Sequence, residues 1–423
     1  MLVRFEAANF RSIQEPAELS MVAVDGDREA ARPAPHLGVD LLTVAAVYGP
    51  NASGKTNVVA ALSWVCDAVR ESLKFWDELI PIEPFASGEP LDQTSEFVVE
   101  SVIDGIRFEY HLEVDREHVH YEALFHYPEK KRRRIFERTG SEVKLQRGLG
   151  RLSGVRELLT ERSLVLSAAR RFNEPLVSHF VEELLHVQIL GPIPRGNSRF
   201  IRGPGHGSSV RWFEEPQQPT LFDGLDMESP FEDRRGRALG LLRLADLGIE
   251  DVSVERETVT GPGGMSHTRR KVRLHHKMGG QKVPMDFSAE SEGIRTWFAL
   301  IGPILTALEK GGLVLMDELD SSLHPTLAVE LLRLFQSSAT NPNDAQLIFT
   351  THDTSLLNHL NRDEVWLTEK NDDGATVLGA LAEFAGERVR KSSNLENAYL
   401  HGRFGALPQV DKTEFLRALG LIG

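Results

Sequence analysis

The chain has 423 residues, 41% hydrophobic and 26% charged, enough for one large α/β core plus a smaller domain. With 48 basic and 62 acidic residues the formal net charge is −14, which excludes nucleic-acid binding over the whole surface and leaves only a local basic patch for it. The single cysteine, Cys66, excludes an internal disulfide and suits a cytoplasmic setting, and the longest apolar run, residues 296–308, is too short for a bilayer, so no membrane is expected.

In chain order, residues 2–8 read as a strand that carries Arg4 and Glu6, unlike a signal peptide. Asn9-Phe10-Arg11-Ser12-Ile13 follows, then a loop rich in Pro and Asp over 25–40. The nearly continuous apolar run 42–48 predicts a buried strand, and apolar spacings of three and four predict a helix over 55–76. Between 96 and 138, Val98, Val102, Ile106, Phe108, Tyr110 and Leu112 alternate with polar residues, and Asp104-Gly105 signals a hairpin, so an antiparallel meander is expected. Helical spacing returns over 156–166 and 174–190. Residues 191–236, rich in Gly, Pro, Ser, Arg and Gln, read as a loop or linker. A helix near 237–247 and strands at 252–257 and 268–275 come next. The last third reads as α/β: a helix from Ser291, a strand over 313–316, a helix from Pro325, a strand over 346–350, a helix from Thr354 and a strand over 364–368.

Gly49-Pro50-Asn51-Ala52-Ser53-Gly54-Lys55-Thr56 fits the phosphate-loop pattern at every fixed position, between an apolar strand and a helix. In such a loop backbone N–H groups and the helix N-terminus, including Asn57, converge on phosphate. Lys55 is expected at the β- and γ-phosphates and Thr56 at Mg²⁺. The apolar strand over 313–316 ends in Asp317-Glu318. Alternation along it turns Asp317 toward the metal and Glu318, the candidate general base, toward the attacking water.

Three further features follow the same order along the chain. Ser291-Glu292-Gly293 opens a helix and offers a hydroxyl and free N–H groups to an anion, although a plain helix cap would look the same. Leu319-Asp320-Ser321-Ser322-Leu323-His324-Pro325 follows Glu318 directly, and Thr350-Thr351-His352-Asp353 closes a strand. His352 is placed to bond the γ-phosphate or orient water.

Together these pieces resemble the RecF/SMC-like branch of ABC ATPases, and within it the AAA-family ATPases of prokaryotic defence: the ATPase half of OLD proteins, RloA-like and abortive-infection proteins. The matching pieces are the Asn9–Ile13 element, the phosphate loop, residues 290–296, 317–325 and 346–357, and Tyr399 to Pro408, so the likeness runs along nearly the whole chain. It implies an α/β ABC-type ATPase head with an inserted subdomain of antiparallel strands and helices. The expected division is 1–95 for the first part of the head, 96–236 for the insertion and linker, and 237–423 for the rest of the head. The implied ligands are ATP and Mg²⁺. Two heads would sandwich nucleotide, with Ser291 and Gly293 meeting the ATP of the other head and Asp320 at the seam. Arg11 would touch nucleotide. The implied function is an ATP-hydrolysing switch in an anti-phage, abortive-infection-type system with a separately encoded nuclease or toxin. The alternative is a RecF-like ATPase acting directly on DNA.

The pattern also departs from the group. No glutamine loop is identifiable, and the Ile82–Phe85 stretch at about its place has no Gln. After His352, Asp372-Asp373 before Gly374 reads as a turn rather than a strand-borne metal site, so no nuclease of the chain's own is expected. No heptad run predicts a coiled-coil arm. Lys130-Lys131-Arg132-Arg133-Arg134 is a basic run at a hairpin tip, read either as a phosphate contact or as a solvated edge guard.

Overall fold

A computed structural model describes residues 1–86, 94–193, 207–214, 230–260, 266–384 and 395–401, and every count below refers to these. Most of the 191–236 loop, and Gly402 to Pro408 of the C-terminal motif, lie outside them.

Strand β1 (Leu2–Ala8) pairs antiparallel with β2 (Ala17–Ser20). A short hairpin of β3 (Ala31–Ala34) and β4 (Val39–Leu42) precedes β5 (Val44–Tyr48), so the run expected as one strand over 42–48 breaks at Thr43. Helix α1 (Lys55–Phe75) follows. The meander then appears as β6 (Ser95–Ile103), β7 (Ile106–Val114), β8 (Val119–His126), β9 (Arg133–Thr139) and β10 (Glu142–Leu145). It does not form a sheet apart. Strand β6 pairs with β1, which makes one seven-stranded antiparallel sheet in the order β10-β9-β8-β7-β6-β1-β2.

The helix expected over 156–166 is two short pieces, α2 (Val155–Leu158) and α3 (Val165–Ala169). Buried side chains from the meander force the break. Arg138 donates to the carbonyls of Thr160 and Ser163, and the Glu122 carboxylate accepts from the N–H groups of Val165 and Leu166. These bonds satisfy backbone groups that a continuous helix would have paired internally. Helix α4 (Pro175–His186) also stops short of its expected end at 190, because β11 (Gln188–Leu190) leaves it to pair in parallel with a strand of the second sheet.

After α5 (Gly207–Val210) and α6 (Pro230–Ala245), the strands β12 (Ile249–Thr260), β13 (Ser266–Met278) and β14 (Gln281–Asp286) form a three-stranded antiparallel sheet. Helix α7 (Glu292–Lys310) leads into β15 (Leu313–Met316), then α8 (Leu319–Ser322), α9 (Pro325–Gln336) and β16 (Gln346–Thr350). The helix expected from Thr354 is a 3₁₀ segment, Thr354–His359. The chain continues through β17 (Val365–Lys370), β18 (Thr376–Ala380), α10 (Leu381–Phe384) and α11 (Leu395–Leu400).

The second sheet, β11-β15-β16-β5-β17-β18, is parallel except for β18. Its central strands are buried on both faces, as continuous apolar runs require. Alternate residues feed two cores. Ala45, Val47, Leu315 and Ile348 pack with Val58, Leu62 and Val65 of α1, whereas Val44, Ala46, Met316 and Phe349 pack with Trp297, Phe298 and Ile301 of α7. Helix α7 contains Pro303, which cannot donate to the Ala299 carbonyl. Ser209, wholly buried, replaces that bond: its hydroxyl donates to Ala299 O at 3.2 Å and accepts from Gly302 N at 2.9 Å. Among the described residues no helix is long and apolar enough to cross a membrane.

Candidate nucleotide site

The phosphate loop lies at the C-terminal end of β5, and β15 and β16 deliver their C-terminal ends to the same edge of the parallel sheet. The loop needs unusual backbone: φ is 155° at Gly49, 62° at Ala52 and 106° at Gly54. Gly54 has a second constraint, because a Cβ there would collide with the side chains of Thr376 and Ser12. Asn51 and Ala52 are exposed at the loop tip, whereas Ser53 is buried.

Side chains from four elements fasten the loop. The hydroxyls of Ser53 and Thr368 lie 2.6 Å apart, and Thr376 donates to Ser53 O at 2.8 Å. Ser12 bonds Thr376 at 2.7 Å and accepts from Asn57 Nδ2 at 2.6 Å. Lys55 Nζ donates to the carbonyls of Gly49 and Pro50, both at 3.0 Å, so its ammonium is curled inside the cradle. Burial lowers its pKa, against the attraction of Asp320, Asp317 and Glu318.

The strand-end acids meet this loop. Thr56 Oγ1 donates to both Asp317 oxygens, at 3.0 and 3.1 Å. A Thr hydroxyl and a carboxylate are hard oxygen donors of the kind Mg²⁺ takes, so the residues present fit that ion. Among the described residues no three His, Cys, Asp or Glu gather as a metal cage. A phosphate-bound Mg²⁺ would need no such cage, since that ion usually keeps waters and phosphate oxygens among its ligands.

Beyond Asp317 the chain turns sharply: Glu318 sits at φ 50°, ψ 59°, a left-handed conformation that is uncommon for a residue with a Cβ. Asp320 Oδ1 accepts from Thr351 Oγ1 at 2.8 Å and from His352 N at 3.1 Å, which pins the His352 backbone to the loop after Glu318. Burial, then the nearby Lys55 cation, lowers the His352 pKa, against the pull of Asp320 and Glu318. Its neutral imidazole is therefore favoured near pH 7, with one nitrogen to donate and one to accept.

The remaining predicted residues have other partners in the described structure. Ser291 caps α7 by accepting from Ile294 N at 3.2 Å, and Ser291, Glu292 and Gly293 are exposed. Among the described residues no hydrogen bond or ion pair joins Ser291 or Gly293 to the phosphate loop. Arg11, at φ 50°, contacts Glu83 at 3.2 and 3.3 Å, and its N–H donates to Glu83 O. The stretch without a glutamine therefore supplies a carboxylate that bonds Arg11. The basic run is exposed throughout: Arg132 lies over Phe125 and bonds Glu109, Arg134 bonds Glu137, and Arg133 lies 3.7 Å from Glu129.

Sequence reasoning missed the fastening hydroxyls of Thr368 and Thr376. It also left the C-terminal motif without a physical account. The structure supplies one for its start: Tyr399 packs edge-on against Tyr48, the residue before Gly49, at 5.9 Å, and Glu396 of the same helix bonds Thr354 and Asn358 just after His352.

Residues 44–358 match the family model described as "AAA domain, putative AbiEii toxin, Type IV TA system". The chain belongs to that family. The match spans the phosphate loop, the strand-end acids and His352, and the family is one of ATPases. No curated protein matches. Similar solved structures include an SMC head domain from Thermotoga maritima, 15% identical over 90% of this chain and 98% of that one, TM-score 0.40. An Smc head domain with an extended coiled coil, bound to the C-terminal domain of ScpA from Pyrococcus furiosus, is 12% identical over 90% and 97%, TM-score 0.45. The family assignment rests on the model match and the site geometry, not on these loose likenesses.

Proposed function

We propose that the chain is an ATP-binding and hydrolysing molecular switch of an anti-phage, abortive-infection-type system, acting with a separately encoded effector. The observation that carries it is the meeting of Thr56, from the phosphate loop, with Asp317 at the end of a buried parallel strand, with His352 on the adjoining strand end. Family membership supports the setting.

In this reading the N–H groups of residues 49–57 and the Lys55 ammonium bind the phosphates of ATP. Thr56 and Asp317 would hold Mg²⁺, which when bound neutralises charge on the phosphate oxygens. Glu318 accepts the proton of a water whose oxygen attacks the γ-phosphorus. The bond from that phosphorus to the bridging oxygen breaks, leaving ADP and phosphate. Neutral His352 bonds the γ-phosphate or the water. The exposure of Ser291 and Gly293, with no described hydrogen bond to their own phosphate loop, supports their meeting the nucleotide of a second copy. Asp320 then has a structural duty in its own chain as well as a place at the seam. Arg11 would exchange Glu83 for nucleotide phosphate.

The test is tagged Glu318→Gln protein, co-expressed with its neighbouring genes and purified in ATP and Mg²⁺. A nuclease or toxin in stoichiometric amount supports the switch with an effector. Recovery with nucleic acid alone favours the second reading, a RecF-like ATPase acting on DNA. The exposed Lys130, Lys131 and Arg133 support that reading, and DNA-stimulated hydrolysis lost on their neutralisation would establish it.

A further inference from the structure

Parallel pairing of β15 with β16 ends at Met316 and Phe349, one residue short of the acids. Past that point the β15 backbone leaves the ladder. Asp317 N donates to Leu190 O of β11 at 3.0 Å, on the other side. Glu318 N is left without a ladder carbonyl. It donates instead to the side-chain hydroxyl of Thr350, at 2.8 Å. The same hydroxyl donates to Asp317 Oδ1 at 2.6 Å. Thr350 is wholly buried, so no water competes for either bond.

One hydroxyl thus uses its single proton on the Asp317 carboxylate and a lone pair on the Glu318 amide. Two consequences follow. The Asp317 carboxylate is fixed between Thr56 and Thr350, since both hydroxyls donate to Oδ1. The left-handed turn at Glu318, which its Cβ disfavours, is held by a bond to its own N–H. That turn sets where the Glu318 carboxylate leaves the sheet.

We infer that Thr350 is a positioning residue for hydrolysis: it orients the Asp317 carboxylate and the Glu318 backbone together, without touching nucleotide. The inference rests on the proposed roles of Asp317 and Glu318. Valine has the shape of threonine without the hydroxyl, and serine keeps the hydroxyl without the methyl, so the pair separates hydrogen bonding from packing.

The experiment measures steady-state ATP turnover, ATP affinity by calorimetry with EDTA and with Mg²⁺, and thermal midpoint. It compares the parent, Thr350→Val, Thr350→Ser and Glu318→Gln. The expected result is a kcat for Thr350→Val at least about tenfold lower, the usual scale for loss of a supporting hydrogen bond at a site. ATP affinity in EDTA should stay within about twofold, and Thr350→Ser should recover most of the turnover. Turnover of Thr350→Val within about twofold of the parent, beside an inactive Glu318→Gln, overturns the inference and leaves the catalytic assignment standing. Equal losses of turnover, affinity and thermal midpoint in the Val and Ser variants also overturn it, since they mark a packing role. Full turnover by Glu318→Gln instead removes the base assignment, and the inference with it.

Discussion

Glu364 lies just before β17, at the opposite end of the parallel sheet from the phosphate loop, and is 1% exposed. Its carboxylate accepts from Asn361 N at 2.7 Å, and its other oxygen lies 3.4 Å from Arg28 Nη2. Burial pushes its pKa from 4.5 up to about 7, against the attraction of Arg28 and the Asn361 bond. The folded state therefore holds this proton more tightly than the unfolded state does. Stability from this group is complete below pH 4.5, falls as pH rises to about 7 and is level above it. Integrated over that window the loss is about 3 kcal/mol. Glutamine keeps an oxygen for Asn361 N–H and does not ionise. Glu364→Gln is therefore expected to match the parent at pH 5 and to exceed it at pH 8 by up to about 3 kcal/mol. With an unfolding entropy of about 2.1 cal/mol/K per residue, this is roughly a 3 °C rise in thermal midpoint. Melting both proteins by circular dichroism from pH 5 to 8.5 measures it. Parallel profiles across that range would falsify the assignment of a buried, neutral Glu364.

Lys55→Ala should abolish ATP binding in calorimetry, because it removes the only cation curled into the cradle among the described residues; retained tight binding would refute the phosphate role of the loop. Ser291→Arg should stop turnover while leaving ATP affinity within about threefold, since Ser291 is exposed and, among the described residues, makes no hydrogen bond to its own loop; normal turnover would sink its action on a second copy. Ser209→Ala should destabilise the protein by about 1–3 kcal/mol in a denaturant titration, because it strands the Ala299 carbonyl beside Pro303; an unchanged midpoint would mean another group reaches that carbonyl.

Much of the site was legible in the chain because its geometry is local. A Gly-rich turn between an apolar strand and a helix makes a phosphate cradle, and an apolar run ending in acids brings them to the crevice. Thr56 and Asp317, both expected at one metal, lie within hydrogen-bonding reach of each other. Strand alternation also foretold the meander of β6 to β9. It could not show that β6 would add to β1 and make one sheet with it, since pairing between distant strands leaves no local mark. Strand β11 was hidden for a similar reason. Three residues at the end of a helical pattern become a strand only because the edge of β15 is there to pair with.

The amino-acid order by itself determined the phosphate loop, the order of the ATPase motifs and the α/β class, since each depends on neighbours in the chain. Only the tertiary structure decided which distant groups complete them. Thr350 reaches Asp317 and Glu318, Glu83 bonds Arg11, and Arg138 with Glu122 breaks a helix that its own spacing would have continued. Those contacts join residues 25 to 72 positions apart in the chain, where a hydroxyl or a charge has no periodicity to betray its partner. Burial settles them, because a polar group taken from water must find a partner wherever the fold offers one.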